Sequence, residues 1–173
     1  MLNEKSYTIK KVKFEEGKSL TTEYSLLEFD GDESTNAEIS FKSPRKVHED
    51  LVRAFAELVP HLILLTESID GISLNDLPKD VRFAKFEARS FSIGGSDEHR
   101  GVVISGIRRV NGNRVVSLST PFTVFEPNTE IGVYEYLDEL LAAVETCIDE
   151  TKLFIEGKHA VSPQLELFVS SNS

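Results

Sequence analysis

A chain of 173 residues with 40% hydrophobic and 28% charged residues has enough apolar material for one domain with a real core. Its net charge of -10 argues against a general polyanion-binding role, and no apolar run approaches the ~20 residues a membrane span needs. The start, Met1-Leu2-Asn3-Glu4-Lys5, lacks the basic region and apolar core of a signal peptide, and the lone Cys147 cannot form an internal disulfide, so a reducing cytoplasm and no membrane are expected.

Residues 5–14 read as a strand in which Tyr7 and Ile9 fall out of phase with Val12 and Phe14, which predicts a bulge or a frayed edge. Lysines at 10, 11 and 13 suit an exposed edge. Glu15-Glu16-Gly17-Lys18 reads as a turn, and 20–29 as the return strand, with Tyr24, Leu26 and Leu27 as core contacts. After a polar loop at 30–34, Ala37, Ile39 and Phe41 alternate with polar residues in a short strand over 37–42. Ser43-Pro44 has the form of a helix start, serine at the N-cap and proline at the first helical position. Val47, Leu51, Val52, Phe55, Leu58, Val59, Leu62 and Leu65 follow at helical spacing, and Pro60 predicts a kink or a new start. The run Leu62-Ile63-Leu64-Leu65 is apolar all round and predicts a deeply buried end. Residues 68–80 read as a loop with a short turn of helix.

Three strands come next, at 81–93, 101–110 and 114–125, the last two joined by the hairpin signal Asn111-Gly112. With those two residues in the turn, Val110 faces Asn113 and Arg109 faces Arg114. That register puts Val103, Ile107, Val116 and Leu118 on the core face. It leaves Val102, Ile104, Gly106, Arg108, Val115, Ser117 and Ser119 as a small, smooth opposite face with a basic fringe.

Asn128-Thr129 then caps a final helix over 130–156, with Gly157 as the residue that ends it and Cys147 as a buried thiol. Leu137, Leu141, Val144, Ile148, Thr151 and Ile155 form a seam of nearly four heptads. At about 1.5 Å per residue the helix would be ~40 Å long, which leaves seam for a helix–helix contact or a homo-oligomer through residues 130–156. The order β-β-β-α-β-β-β-α predicts an α+β fold: a mostly antiparallel sheet of about six strands with two long helices and a short C-terminal tail. Residues 1–157 make one domain and 158–173 the tail.

Chemistry is sparse. Asp97-Glu98-His99 are adjacent on a hairpin loop, and adjacent residues rarely converge on one ion. Asp30, Asp32 and Glu33 lack the rest of a calcium loop, and His48 and His61 are too far apart along one helix to share a site. The glycine pair Gly94-Gly95 lacks the third glycine of a dinucleotide site. The expectation is a non-enzyme with no cofactor and no metal.

Charge is unevenly spread. From Lys79 to Arg114 the chain carries +4, against -14 for the remainder, so a mildly basic sheet sits in an acidic protein. Arg82, Lys85, Arg89, Arg108, Arg109 and Arg114 are the candidate nucleic-acid contacts, with Phe83, Phe86 or Phe91 to stack on the bases of single-stranded DNA. The alternative is that these phenylalanines are core and the arginines solvated edges.

Beyond the last helix, Gln164-Leu165-Glu166-Leu167-Phe168 follows Pro163 close to the C-terminal end of the sequence. It resembles the pentapeptide by which bacterial replication and repair proteins bind the β sliding clamp: glutamine, leucine, a small or acidic residue, leucine, phenylalanine. All five positions conform. The resemblance implies that Gln164 hydrogen-bonds at the pocket rim, Leu165 packs in a shallow site, Leu167 and Phe168 fill the hydrophobic pocket, and Glu166 faces solvent. The alternating Leu165 and Leu167 would also serve in a final edge strand. The sequence therefore points to an accessory protein of DNA replication or recombination, bacterial or phage-encoded, with the clamp as partner. Single-stranded DNA binding or annealing by the basic sheet is the alternative.

Overall fold

The computed structural model of the chain describes residues 4–14, 19–127 and 132–159. The turn read at 15–18, the cap read at Asn128-Thr129 and the pentapeptide Gln164–Phe168 lie outside the described residues. The elements are β1 (Glu4–Lys13), β2 (Ser19–Asp30), β3 (Glu33–Lys46), α1 (Glu49–Ala56), α2 (Val59–Leu65), β4 (Phe86–Gly94), β5 (Gly101–Val110), β6 (Arg114–Ser119), β7 (Thr123–Val124) and α3 (Leu137–Ile155). The strands pair antiparallel in the order β3-β2-β1-β4-β5-β6, and β7 pairs with the start of β5. The helices lie on one face: α1 and α3 on each other, α3 against β1, α1 on β4, and α2 across β4 and β5. This is the α+β sheet with one helical layer that the strand and helix periodicities predict.

The phase break in β1 is a bulge. Register passes from Ile9↔Tyr24 to Lys11↔Glu23, so the extra residue Lys10 lets both Ile9 and Val12 point into the core. β1 is not an edge, however. It lies between β2 and β4, with Lys11, Val12 and Lys13 opposite Ser92, Phe91 and Ser90. Lys11 and Lys13, on either side of the buried Val12, stand on the face away from the helices.

One edge is β3, and it absorbs the residues read as a helix start. Opposite Leu20 the register jumps from Thr21↔Lys42 to Ser19↔Lys46, and Pro44 sits in that irregularity. An edge bulge tolerates proline because no ladder hydrogen bond is lost there. Ser43 Oγ accepts from Arg45 N–H at 3.0 Å, so the serine stabilises the bulge and caps no helix. The cap belongs to His48, whose Nδ1 accepts from Asp50 N–H at 3.2 Å at the head of α1.

Pro60 separates α1 from α2, as proline in the first turn of a new helix should. Leu62 and Ile63 are fully buried, whereas Leu64 and Leu65 are only half-buried. The strand read from 81 begins at Phe86, after a short helical turn over Phe83–Lys85. The long strand read at 114–125 is broken. Thr120 N–H donates to Ile104 O and Thr120 Oγ1 accepts from Ile104 N–H, and Pro121-Phe122 interrupt the ladder before β7 resumes it.

α3 starts at Leu137, not 130, which makes it about 28 Å long. Its buried line is Leu137, Leu140, Val144, Cys147, Thr151 and Phe154. Leu141, Ile148 and Ile155, the other half of the predicted seam, lie half-buried on the flank. Gly157, at φ 117°, ends the helix as expected: Lys158 N–H donates to Leu153 O, and Gly157 N–H to Phe154 O. The fold is tied down beyond that point. Lys158 Nζ bonds Asp50 at 2.7 Å and Glu150 at 3.0 Å, and His159 bridges antiparallel to Val47.

Candidate functional site

The side of the sheet away from the helices is set by the register of four strands. The turn between β5 and β6 holds three residues, with Gly112 at φ 79° and Asn113 at φ 58°. Val110 therefore pairs with Arg114 and Arg109 with Val115, one residue out of step with a two-residue turn. The faces exchange accordingly. Val102 and Ile104 are fully buried under the helices, with Gly106, Val116 and Leu118 on the same side by register. Val103, Ser105, Ile107, Arg109, Val115, Ser117 and Ser119 are on the other.

One row crosses this open face from strand to strand: Thr21, Lys13, Ser90, Ser105 and Ser119 are consecutive register partners. Ser105 Oγ and Ser119 Oγ lie 3.3 Å apart. Lys11, Ser92 and Val103 form the next row on one side, and Glu87, Ile107 and Ser117 the next on the other. A shallow groove of 350 Å³ follows the row, lined by Lys13, Arg89, Ser105, Ile107, Ser117 and Ser119. Beside it Glu87 receives two guanidinium groups, Arg89 Nε at 3.4 Å and Arg109 Nη2 at 2.9 Å. One carboxylate thus orients two arginines.

Of the six basic residues singled out from the sequence, the fold brings Arg89 and Arg109 together here. The other four lie elsewhere. Arg108 is on the helix side, its guanidinium 5.6 Å from the Phe86 ring centre. Arg82 forms a fork on Asp80, at 2.9 and 2.8 Å, and holds that carboxyl down at about 2. Lys85 is exposed at the end of the turn before β4, and Arg114 Nε donates to Asn111 O in the hairpin. Phe86 and Phe91 are core residues at 7% and 1% exposure, and Phe83 packs against that core, so none offers a free ring to a base. The residues sequence reasoning missed are Lys11 and Lys13. Their strand looked like an edge, and only the pairing of β1 with β4 places them mid-sheet.

Two further features lie at the other side of the molecule. His61 is buried beneath Tyr134, with Nδ1 2.9 Å from the phenol oxygen, and desolvation lowers its pKa to about 4. Burial also raises the Tyr134 hydroxyl, so at neutral pH both partners are uncharged. Above this pair a cleft of 420 Å³ is lined by Leu64, Leu65, Phe122, Val133 and Tyr134, with Glu67 and Glu126 on it. Neither feature supplies a nucleophile. Cys147 is fully buried, which raises its thiol pKa and removes it from reaction at neutral pH. Asp97-Glu98-His99 form a single helical turn, and among the described residues no three His, Cys, Asp or Glu side chains are grouped to hold a metal ion. No described helix is long and apolar enough to cross a membrane. Comparison of the chain with protein-family models, with curated proteins and with solved structures returned no match.

Proposed function

We propose that this chain is a non-enzymatic accessory protein of bacterial or phage DNA replication or recombination that docks on the bacterial β sliding clamp through Gln164, Leu165, Leu167 and Phe168. The observation that carries this reading is the five-position match of Gln164-Leu165-Glu166-Leu167-Phe168 to the clamp-binding pentapeptide. The last described helix ends at Ile155, and Lys158 and His159 are tied to Asp50, Glu150 and Val47, upstream of the pentapeptide.

Burying Leu167 and Phe168 is worth about 1.5–3 kcal/mol each, and ordering the tail takes back about 1 kcal/mol or more per residue. Micromolar affinity needs about -8 kcal/mol, so one tail binds weakly to moderately, and a homo-oligomer on a ring with several pockets would gain by avidity. The test is clamp binding by surface plasmon resonance for the intact chain and for Leu167→Ala/Phe168→Ala. Equal binding by both, or none by either, refutes it.

A second reading, single-stranded DNA binding or annealing by the basic sheet, is favoured by one observation. In a protein of net charge -10, Lys11, Lys13, Arg89 and Arg109 share the helix-free face.

A further inference from the structure

The open face carries an inference finer than either reading and rests on the second. We propose that the row Thr21-Lys13-Ser90-Ser105-Ser119, flanked by Lys11 and by Arg109, which Glu87 holds, is a binding strip for the phosphodiester backbone of single-stranded nucleic acid, read without regard to base.

Three properties of the strip select that occupant. The first is charge. Lys13 lies in the row, Lys11 and Arg109 beside it and Lys42 opposite Thr21, with Glu87 as the acid among them, and Glu23, opposite Lys11, marks its acidic limit. The helix side is the reverse, with Asp138, Glu139, Glu145, Asp149, Glu150 and Glu156 along α3 and its end. A polyanion is repelled by one side of the protein and held by the other.

The second is the chemistry of the row. Hydroxyls of Thr21, Ser90, Ser105 and Ser119 and the ammonium of Lys13 are hydrogen-bond donors spaced by strand pairing at about 4.8 Å, a strip of about 19 Å over five strands. Phosphate and sugar oxygens are contacted by such groups: Arg, Lys, Ser and Thr side chains. Glu87 fixes the Arg109 guanidinium beside the row, so less side-chain freedom is lost when it meets a phosphate.

The third is what the strip lacks. No aromatic ring stands in the row or in the rows on either side of it, so bases are neither stacked nor read. Among the described residues the long helices pack on the other face, and small side chains leave the strip low enough for an extended strand to lie across. The span suits on the order of four nucleotides, at the lower end for single-strand modules.

The experiment is fluorescence anisotropy of a labelled twelve-nucleotide oligo-dT with the full chain at two salt concentrations. With three to four phosphates neutralised, affinity falls about 20- to 50-fold between 50 and 200 mM salt. Lys13→Gln/Arg109→Gln weakens binding at least tenfold and flattens the salt slope by about 1.4. The control Lys85→Gln/Arg114→Gln removes the same charge from outside the strip and changes affinity less than threefold. Thermal unfolding of each variant confirms that it is folded. Oligo-dA binds as oligo-dT does. If the oligonucleotide binds but both double variants weaken equally, the strip is wrong while the single-strand reading stands. If no oligonucleotide binds at 50 mM salt, both fall. Equal binding of a duplex overturns the single-strand assignment.

Discussion

Acid should loosen this fold through one histidine. His61 lies in α2 at 3% exposure, against Tyr134, and burial lowers its pKa from the usual 6.5 to about 4. The unfolded chain takes up a proton at His61 below pH 6.5, whereas the folded chain refuses it until about pH 4. The contribution is therefore complete above pH 6.5 and is lost progressively as the pH falls toward 4. At about 1.4 kcal/mol per pH unit the whole loss is about 3 kcal/mol, a large fraction of the stability of a domain this size. The carboxylates add to the loss only at its lower end. Glu38, Asp50 and Asp76 are held low by Lys10, Lys158 and Ser73 respectively, and groups of that kind begin to release stability near about pH 5, mostly below about pH 4, with or without His61. His159, lowered by burial and by Arg45, acts in the same direction as His61 but is more exposed and contributes less. The assay is urea unfolding at pH 7.0, 5.5 and 4.5 for the wild type and for His61→Leu/Tyr134→Phe. The double variant removes the histidine without stranding the tyrosine hydroxyl. Wild-type stability should fall by about 2–3 kcal/mol across this range and the variant's by less than about 1 kcal/mol. Parallel pH profiles would refute the assignment.

Three other outcomes follow from particular contacts. A Cβ on Gly106 would lie 2.1 Å from the Glu87 carbonyl oxygen and 2.7 Å from Leu62 Cδ2, so Gly106→Ala should destabilise by about 3 kcal/mol in the same urea assay. Glu67 holds φ 53° in the position after α2, where Ser68 N–H donates to Ile63 O. Glycine is at ease there, so Glu67→Gly should be neutral to stabilising by up to about 1 kcal/mol, whereas the same change in a helix interior would destabilise. Cys147, at 0% exposure, should stay inert to a thiol reagent in the folded protein and react only as fast as the chain opens.

Much of this fold was legible because its signals are local. The phase break between Ile9 and Val12 announced the bulge, Pro60 announced the new helix, and Gly157 announced the end of α3. What was illegible depended on partners. Ser43-Pro44 meets the local chemistry of a helix start, yet the β2 ladder claims it, because pairing along Ser19–Asp30 outweighs one cap. α3 is apolar on both sides of its Leu137–Val144–Thr151 line. Periodicity alone could not choose Leu140, Cys147 and Phe154 over Leu141, Ile148 and Ile155, and packing on β1 and α1 made the choice.

The site turned on a single residue. A two-residue turn at Asn111-Gly112 puts Ser117 and Ser119 on the same side as Ile104 and Arg108. Including Asn113, in the left-handed conformation that asparagine tolerates better than most residues, moves them to the side of Ser105 and Arg109. The same shift hands Val102 and Ile104 to the core. Strand alternation, whatever the turn, separates Arg108, 5.6 Å from the Phe86 ring centre, from Arg109, which meets Glu87 in the open. Adjacent arginines that look like one basic patch in the sequence are thus on opposite faces of a strand, and the cations that do gather come from β1, β4 and β5. A basic surface on a sheet is a property of register: composition can announce that the charges exist, but only pairing decides which of them meet on one face.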